Sequence, residues 1–186
     1  MSENRFEEAV EYVFKHEGGY IDHPNDPGGA TNYGISLRSL RQLEGASLDN
    51  WDLDGDGDVD ADDMRLMTKD RARKIYFKHF WHRQLDQLES PRLAIKLFDT
   101  GVNVGPHQAG RIFQRMVSRY DSDVIVDGFV GPKTVDSANV VSGVVEYCLD
   151  DFCAEQARFY FRLVSARPSR EVFLLGWLRR AYSIPT

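Results

Sequence analysis

The chain has 186 residues, of which 42% are hydrophobic and 28% charged, and its formal net charge is −6. A chain of this size and composition can bury a continuous hydrophobic core, which argues against disorder. Lysine and arginine are not concentrated on one predicted helix face, so we expect no nucleic-acid partner. No segment approaches the roughly 20 apolar residues of a membrane span, so we expect no membrane partner either.

A first amphipathic helix is predicted at the start of the chain. Its apolar residues recur at helical spacing, at Phe6, Val10, Val13 and Phe14, and a Gly-Gly pair at 18–19 ends it. The next stretch, residues 20–36, is rich in glycine, proline and polar side chains. This composition predicts a loop that shapes a cleft, with at most a small β element.

The rest of the chain also shows mostly helical patterns. A short helix is predicted over 37–43, and Thr68 is a cap for another. The pair Ser90-Pro91 has the cap and first turn of a further helix, which Gly105-Pro106 ends. Residues 120–133 predict a loop or a short strand pair, and helical periodicity resumes at Thr134. The predicted class is therefore mainly α, a globule of about six to eight helices.

Glu17 is the candidate that carries chemistry. It lies three and four positions after Phe14 and Val13, so it continues the apolar face of the first helix and is partly desolvated. The two glycines that follow leave room for a bulky substrate, and Tyr20 offers a ring and a hydroxyl to a sugar. The alternative is that Glu17 is an ordinary solvated residue at a helix end.

Two linked motifs carry a resemblance to a known family. The runs His16-Glu-Gly-Gly-Tyr20 and Asp26-Pro-Gly-Gly-Ala-Thr-Asn-Tyr-Gly-Ile35 closely resemble the signature of the glycoside hydrolase family 108 muramidases of phage lysis cassettes. The resemblance continues through Phe98-Asp-Thr-Gly-Val-Asn103, Val126-Asp-Gly-Phe-Val-Gly-Pro132 and Phe173-Leu-Leu-Gly-Trp177. It implies a lysozyme-like helical fold, with a catalytic region over 1–118 and a peptidoglycan-binding-like region over 119–186.

The resemblance also implies the reaction. The substrate would be the β-1,4 bond between N-acetylmuramic acid and N-acetylglucosamine, and Glu17 matches the family's catalytic glutamate. A second carboxylate normally assists this chemistry, and Asp26 is the leading candidate. Asp22 and Asp99 compete with it, while Thr31 would instead hold a water molecule. For Asp26 the alternative is a turn-forming residue before a proline.

We expect two groups of residues to bind the substrate. One group is Tyr20, Asn32 and Tyr33, in and beside the second motif. Asp99 and Asn103 lie one helical turn apart and would line the opposite wall, although either residue would equally serve to cap or cross-link helices. Two other functions remain open: a lytic transglycosylase acting on the same bond, and a non-catalytic wall-binding virion protein stabilised by calcium.

An acidic block predicts a calcium site. Residues 52–63 fit the twelve-position loop of an EF-hand, with Gly57 at the turn and an aspartate in place of the usual last glutamate. The predicted ligands are Asp52, Asp54, Asp56, Asp58 through its carbonyl, Asp60 and Asp63. The ion would be structural and would take no part in catalysis. The alternative is a solvated acidic loop without metal.

The remaining expectations concern the C-terminal half and the location of the protein. Trp177 lies at helical spacing from Phe173 and Ala181, which predicts core packing. Cys148 and Cys153 are spaced too far apart around a helix to bridge, so we expect two buried free thiols. The N-terminus lacks a secretory pattern, so we expect the protein to stay in the host cytoplasm until a holin opens its way to the periplasm or cell wall. We also expect a monomer.

Overall fold

The computed structural model describes residues 2–22, 29–43, 51–144 and 147–185. These residues form helices joined by loops, with one small β hairpin. The elements in chain order are α1 Ser2–His16, β1 Thr31–Asn32, β2 Ile35–Ser36, α2 Leu37–Gln42, α3 Ala61–Leu66, α4 Lys69–His79, α5 Arg83–Gln87, α6 Pro91–Val104, α7 Pro106–Val117, α8 Pro132–Val144, α9 Cys148–Ala166, a 3-10 turn Pro168–Arg170 and α10 Glu171–Ala181.

Two compact units divide the chain. The first combines Met1–Ala9 with His82–Thr186, and the second is Val10–Trp81. The helical pattern predicted for α1 is confirmed, because its apolar residues Phe6, Val10 and Val13 are buried. The mainly α class is thus confirmed. The predicted division after residue 118, between a catalytic and a wall-binding region, remains a prediction.

Helix caps explain where several helices begin. The hydroxyl of Thr68 accepts a hydrogen bond from the N–H of Arg71, and the hydroxyl of Ser90 accepts one from the N–H of Leu93, both at 3.3 Å. Each bond satisfies an amide that has no partner inside the helix. The caps predicted at Thr68 and Ser90 are therefore confirmed.

A two-stranded hairpin is the β structure among the described residues of the unit Val10–Trp81. In β1 and β2, Thr31 pairs with Ser36 and Asn32 with Ile35, in antiparallel register. Ile21 adds an isolated bridge to Thr31, with N–H···O distances of 2.8 and 2.7 Å. The small β element predicted in the stretch 20–36 is thus present. Arg41, in α2 after the hairpin, donates to the carbonyl of Val59.

The core of the other unit lies between α6, α7 and α9. Phe98 meets the ring of Phe6 edge to face, with centroids 6.2 Å apart, and Phe113 meets Phe152 in the same way at 5.3 Å. The predicted inner face of α7 is buried, at Ile112, Phe113, Met116 and Val117. A smaller cluster of Ala157, Tyr160 and Ala181 joins α9 to α10, with Trp177 packed against it. The predicted core packing of Trp177 agrees with this position.

Residues 120–131 form a loop without a strand, although the sequence also allowed a strand pair. The buried side chain of Gln114 forms the hydrogen bonds that would otherwise join the two strands of a hairpin. Its amide nitrogen donates to Asp127 at 2.9 Å and to the carbonyl of Phe129 at 3.0 Å, and its oxygen accepts from the N–H of Gly128 at 2.7 Å. One side chain on α7 thereby satisfies three polar groups of the loop.

Both cysteines are free and buried, as predicted. Burial raises the pKa of the Cys148 thiol to about 11, since a thiolate is poorly solvated there. Among the described residues, no helix is both long and apolar enough to cross a bilayer.

A buried charged network fixes the end of α10 to α6. Lys96 and Asp99 are completely inaccessible to solvent. The ammonium of Lys96 donates to the carbonyls of Arg180 and Ser183 at 2.7 and 2.8 Å. Asp99 accepts from the guanidinium of Arg180 at 2.8 and 3.1 Å. Burial lowers the pKa of Lys96, and the nearby charge of Asp99 opposes that effect.

We expect Lys96→Met to lower the free energy of unfolding by about 2 kcal/mol, because two buried carbonyls lose their donor. Urea titration measures this value. The control is Lys133→Met, which removes the same charge from an exposed position of α8 and should change stability by less than about 0.5 kcal/mol. Equal stability of the two variants would contradict this account of Lys96.

Candidate active site

Glu17 is the first residue after α1, and its carboxyl group faces the β hairpin. Its N–H still donates to the carbonyl of Val13 at 3.0 Å, so the position is fixed by the last turn of the helix. The side chain is half-buried. The predicted partial desolvation of Glu17 therefore agrees with its position, and its role as the catalytic acid stays a prediction.

The backbone of Gly34 lies against the Glu17 side chain. A Cβ atom at position 34 would be 2.5 Å from the carboxyl carbon of Glu17 and 2.8 Å from the hydroxyl of Tyr76. The φ of Gly34 is +77°, a conformation that costs other residues free energy. Position 34 therefore has two requirements that glycine alone meets.

The turn that carries Gly34 is held by Tyr76, a completely buried residue of α4. The Tyr76 hydroxyl donates to the carbonyl of Tyr33 at 2.5 Å. Tyr33 itself has a φ of +49°, and its ring meets that of Phe14 edge to face at 5.7 Å. The predicted substrate residue Tyr33 thus also has a structural role, since it shapes the turn beside Glu17.

Thr31 and Asp26 are the predicted candidates for the second catalytic group. Thr31 lies in β1, where its main chain pairs with Ile21, and its hydroxyl donates to the carbonyl of Gly29 at 3.4 Å. Asp26 lies outside the described residues. Its role, like that of Thr31, stays a prediction.

Tyr20 follows the Gly-Gly pair after Glu17 and interacts with Arg65 of α3. The guanidinium of Arg65 stacks 4.7 Å from the centre of the Tyr20 ring and donates to its hydroxyl at 3.1 Å. That hydroxyl is 3.4 Å from a carboxylate oxygen of Asp22, to which it donates. Desolvation raises the pKa of Tyr20, against the opposing charge of Arg65. The ring is therefore held in place as a neutral phenol.

Three further predicted substrate residues have internal partners. Asn32 is buried and donates to the carbonyl of Met64 at 2.8 Å, which joins β1 to α3. Asn103 accepts from the hydroxyl of Tyr160 at 2.5 Å, and Asp99 is buried in its pair with Arg180. Asp99 and Asn103 thus cross-link helices in the compact unit that does not contain Glu17, which was their alternative role. Contact of these three with sugar remains a prediction that their burial and pairing do not support.

The acidic loop closes on Asp63, the buried last position of the predicted EF-hand. Its two carboxylate oxygens accept hydrogen bonds from the N–H groups of Leu53 and Asp60, the second at 2.7 Å. Asp52 accepts from Gly55 and Gly57 at 2.6 and 2.9 Å. These hydrogen bonds close residues 52–63 into a loop.

The carboxylates of the loop are close enough to share a cation. One group is Asp52, Asp54 and Asp63, a second is Asp58, Asp60 and Asp63, and within each group the oxygens lie within 4.8 Å of one another. Asp56, the sixth predicted ligand, belongs to neither group, and its carboxylate accepts from the N–H of Asp58 at 3.1 Å. Both groups share Asp63, the closing residue of the loop.

Repulsion between the carboxylates contributes to raised pKa values at Asp54 and Asp58. The N–H of Asp56 lowers the pKa of Asp54, but desolvation and the neighbouring aspartates outweigh that bond and leave the pKa raised. The charge of Asp56 raises the pKa of Asp58. Like charges at this spacing favour protonation or a bound cation.

Comparison with known proteins identifies the class. Residues 10–105, just over half of the chain, match the family Glycosyl hydrolase 108, and residues 108–182 match a family described as a predicted peptidoglycan domain. The chain therefore belongs to glycoside hydrolase family 108, as the resemblance indicated, and the second match indicates peptidoglycan as its substrate.

One solved structure is similar over nearly the whole chain. It is the structure of Brucella abortus SagA, which is 27% identical, with a TM-score of 0.72 over 96% of this chain and 90% of that one. No curated protein matches the sequence. The lysozyme-like, mainly α fold predicted from the resemblance is confirmed.

Sequence reasoning missed three residues that shape the site. Gly34 was considered only as part of a motif, and neither Tyr76 nor Arg65 was a candidate site residue. A signal existed for Gly34, since a Tyr-Gly pair between two short β segments is typical of a turn with positive φ. For Tyr76 and Arg65 the local sequence gave none, because their partners Tyr33 and Tyr20 are over 40 positions away.

We expect Gly34→Ala to lower kcat on peptidoglycan roughly 10- to 100-fold, because the new methyl group displaces the Glu17 carboxyl group. Gly29→Ala is the matched control. Its φ is +72°, so it has the same backbone strain, but its methyl would be 3.7 Å from Leu37, an ordinary contact. Hydrolysis assays at equal folded fraction compare the two, and equal loss in both would rule out an effect specific to Glu17.

Proposed function

We propose that this glycoside hydrolase is a muramidase that cleaves the β-1,4 bond between N-acetylmuramic acid and N-acetylglucosamine, with Glu17 as its general acid. The supporting observation is the contact between the Gly34 backbone and the Glu17 carboxyl group. A side chain at position 34 would occupy this space, so the turn and the acid fit one another. A solvated residue at a helix end would need no such fit.

In the proposed reaction, Glu17 donates its proton to the glycosidic oxygen as the bond from that oxygen to the anomeric carbon of N-acetylmuramic acid breaks. Positive charge develops on that sugar. With Asp26 as base, water adds to the anomeric carbon and the Asp26 carboxylate takes its proton. With Asp26 as nucleophile, its carboxylate first bonds to the anomeric carbon, and water then displaces it while the ionised Glu17 takes the proton of that water. If Thr31 instead positions the water, the ionised Glu17 takes the proton. Tyr20 and Tyr33 remain proposed neighbours of the substrate.

We propose host cell lysis as the biological role of the enzyme. The resemblance to phage lysis enzymes supports an endolysin that accumulates as a monomer in the host cytoplasm and reaches the wall through a holin. Expression in a bacterial host with and without a holin tests this route, since lysis should require the holin. Lysis without it would mean another way of export.

We also propose that residues 52–63 bind a structural calcium ion. The support is the overlap of two carboxylate groups at Asp63, together with the repulsion that raises the pKa of Asp54 and Asp58. Many oxygen ligands at flexible distances suit calcium better than magnesium. The ion would join the loop to α3, away from the chemistry of the sugar.

We expect Glu17→Gln to lower the rate of peptidoglycan hydrolysis about 10²- to 10⁴-fold, because glutamine cannot donate a proton to the leaving oxygen. Loss of turbidity of purified peptidoglycan gives the rate, and mass spectrometry identifies the products. Reducing N-acetylmuramic acid ends indicate a muramidase, whereas anhydro ends would instead establish a lytic transglycosylase.

The control for this experiment is Glu8→Gln, which changes an exposed carboxylate on the same helix and should keep wild-type activity. A fully active Glu17→Gln variant would place the acid elsewhere. An inactive wild type, assayed with calcium, would favour the wall-binding protein without catalytic activity.

We expect calcium at 100 times its dissociation constant to stabilise the protein by about 2.7 kcal/mol, a rise in Tm of roughly 5–10 °C. Asp54→Asn should reduce this rise, whereas Asp123→Asn, an exposed control outside the loop, should keep it.

Because raised pKa values make the loop bind protons more readily, calcium affinity should fall as the pH is lowered from 7 towards about 4. A Tm independent of calcium would exclude the site.

A further inference from the structure

Three chain segments form the small β ladder beside Glu17. Ile21 pairs with Thr31 of β1, and Thr31 pairs with Ser36 of β2. Two residues that face each other across an antiparallel pair have their side chains on the same face of the ladder. Ile21, Thr31 and Ser36 therefore form one row, which we call the Ile21 face. Two backbone hydrogen bonds of 2.8 and 2.7 Å hold Ile21 in this row.

The opposite face of the ladder packs on α3. Asn32, which follows Thr31, is buried and donates to a carbonyl of α3 at 2.8 Å. Tyr20, which precedes Ile21, has its ring under a guanidinium group of α3. Successive side chains of an extended segment point to opposite faces. The Ile21 face is therefore directed away from α3.

The Ile21 face is accessible to a ligand. Ile21 is exposed by 58%, whereas Thr31 and Ser36 are half-buried. A single exposed aliphatic residue is common on protein surfaces and by itself indicates nothing. The significance of Ile21 therefore depends on where its side chain lies.

The side chain of Ile21 lies beside the proposed acid. Its Cδ1 would be 3.7 Å from a Cβ atom at position 18, the residue directly after Glu17. A Cβ atom at position 19 would meet no described atom within 4 Å, and the φ of Gly19 is outside the left-handed region. The described chain thus has neither a steric nor a conformational requirement for glycine at position 19, in contrast to Gly34. The gap at Gly19 is instead available to a molecule that approaches Glu17.

We propose that the Ile21 face and the gap at Gly19 form a subsite for one N-acetylated sugar next to the cleaved bond. The apolar face of the sugar ring packs on Ile21, and the gap at Gly19 leaves room for the ring. The hydroxyl of Thr31 donates to the carbonyl of Gly29 at 3.4 Å, and its oxygen keeps lone pairs that accept from a sugar hydroxyl. The identity of the sugar rests on the proposed function of the chain.

The chemistry of the row favours the glycan over the stem peptide. A pyranose ring has an apolar face of C–H groups and hydroxyls at its edge. The row has the same order, an aliphatic side chain followed by two hydroxyl side chains. A peptide with free carboxylates would be bound by basic side chains, and Ile21, Thr31 and Ser36 include none.

The test measures kcat and KM on soluble glycan fragments of peptidoglycan from which an amidase has removed the stem peptides. We expect Ile21→Ser to raise KM roughly tenfold and to change kcat less than about twofold, because the contact binds substrate and transition state alike. Ile21→Val should keep KM within about fourfold of the parent value. Gly19→Leu should lower kcat/KM by roughly tenfold or more, because its side chain fills the gap.

Val140→Ser and Gly143→Leu are the matched controls, in α8 and outside the unit Val10–Trp81. Val140 is exposed by 67%, and a Cβ atom at position 143 would meet no described atom within 4 Å. Both variants should keep the parent values, and circular dichroism melts verify that every variant folds. An unchanged KM in Ile21→Ser would overturn the subsite, and so would a loss confined to kcat, which indicates a displaced acid.

A binding measurement separates the subsite from the muramidase proposal. Calorimetric titration of the same fragments into the full chain carrying Glu17→Gln requires no turnover. In this background, we expect Ile21→Ser to weaken binding roughly tenfold. Weakened binding supports the subsite even if the parent cleaves no glycan, a result that would contradict the muramidase proposal alone. Unchanged binding, with a parent that cleaves glycan, would overturn the subsite alone.

Discussion

The close approach of Gly34 to the carboxyl group of Glu17 is the constraint on which the site depends. The end of α1 fixes the acid, and the hairpin turn brings the glycine backbone to it. Tyr76 secures the turn through the carbonyl of Tyr33. Since Tyr76 is buried in α4, the surroundings of the Glu17 carboxyl group depend on the packing of helices far apart in sequence.

Motifs of the family have different physical roles in this chain. The run that contains Gly34 shapes the surroundings of Glu17, whereas the run 98–103 supplies Asp99 and Asn103 to contacts between helices. The run 126–132 is held by Gln114. The family motifs of this chain therefore combine residues around the proposed acid with residues that stabilise the fold.

Much of the fold was predictable because its signals are local. The spacing of Phe6, Val10 and Val13 and the hydroxyls of Thr68 and Ser90 are properties of neighbouring residues, and the helices follow them. The roles of Asn32 and Asp99 were not predictable in this way, since a polar side chain in a cleft and one in a core look alike in sequence. Only the tertiary partners, Met64 and Arg180, distinguish these cases.

Burial of the two thiols has a consequence for their reactivity. Disulfide exchange requires a thiolate, and burial with a pKa of about 11 keeps Cys148 protonated at neutral pH. Burial raises the pKa of Cys153 as well. Burial and the raised pKa values thus lower the reactivity of both thiols in the folded chain. A cysteine engineered on the surface would react with a maleimide dye well ahead of both natural thiols.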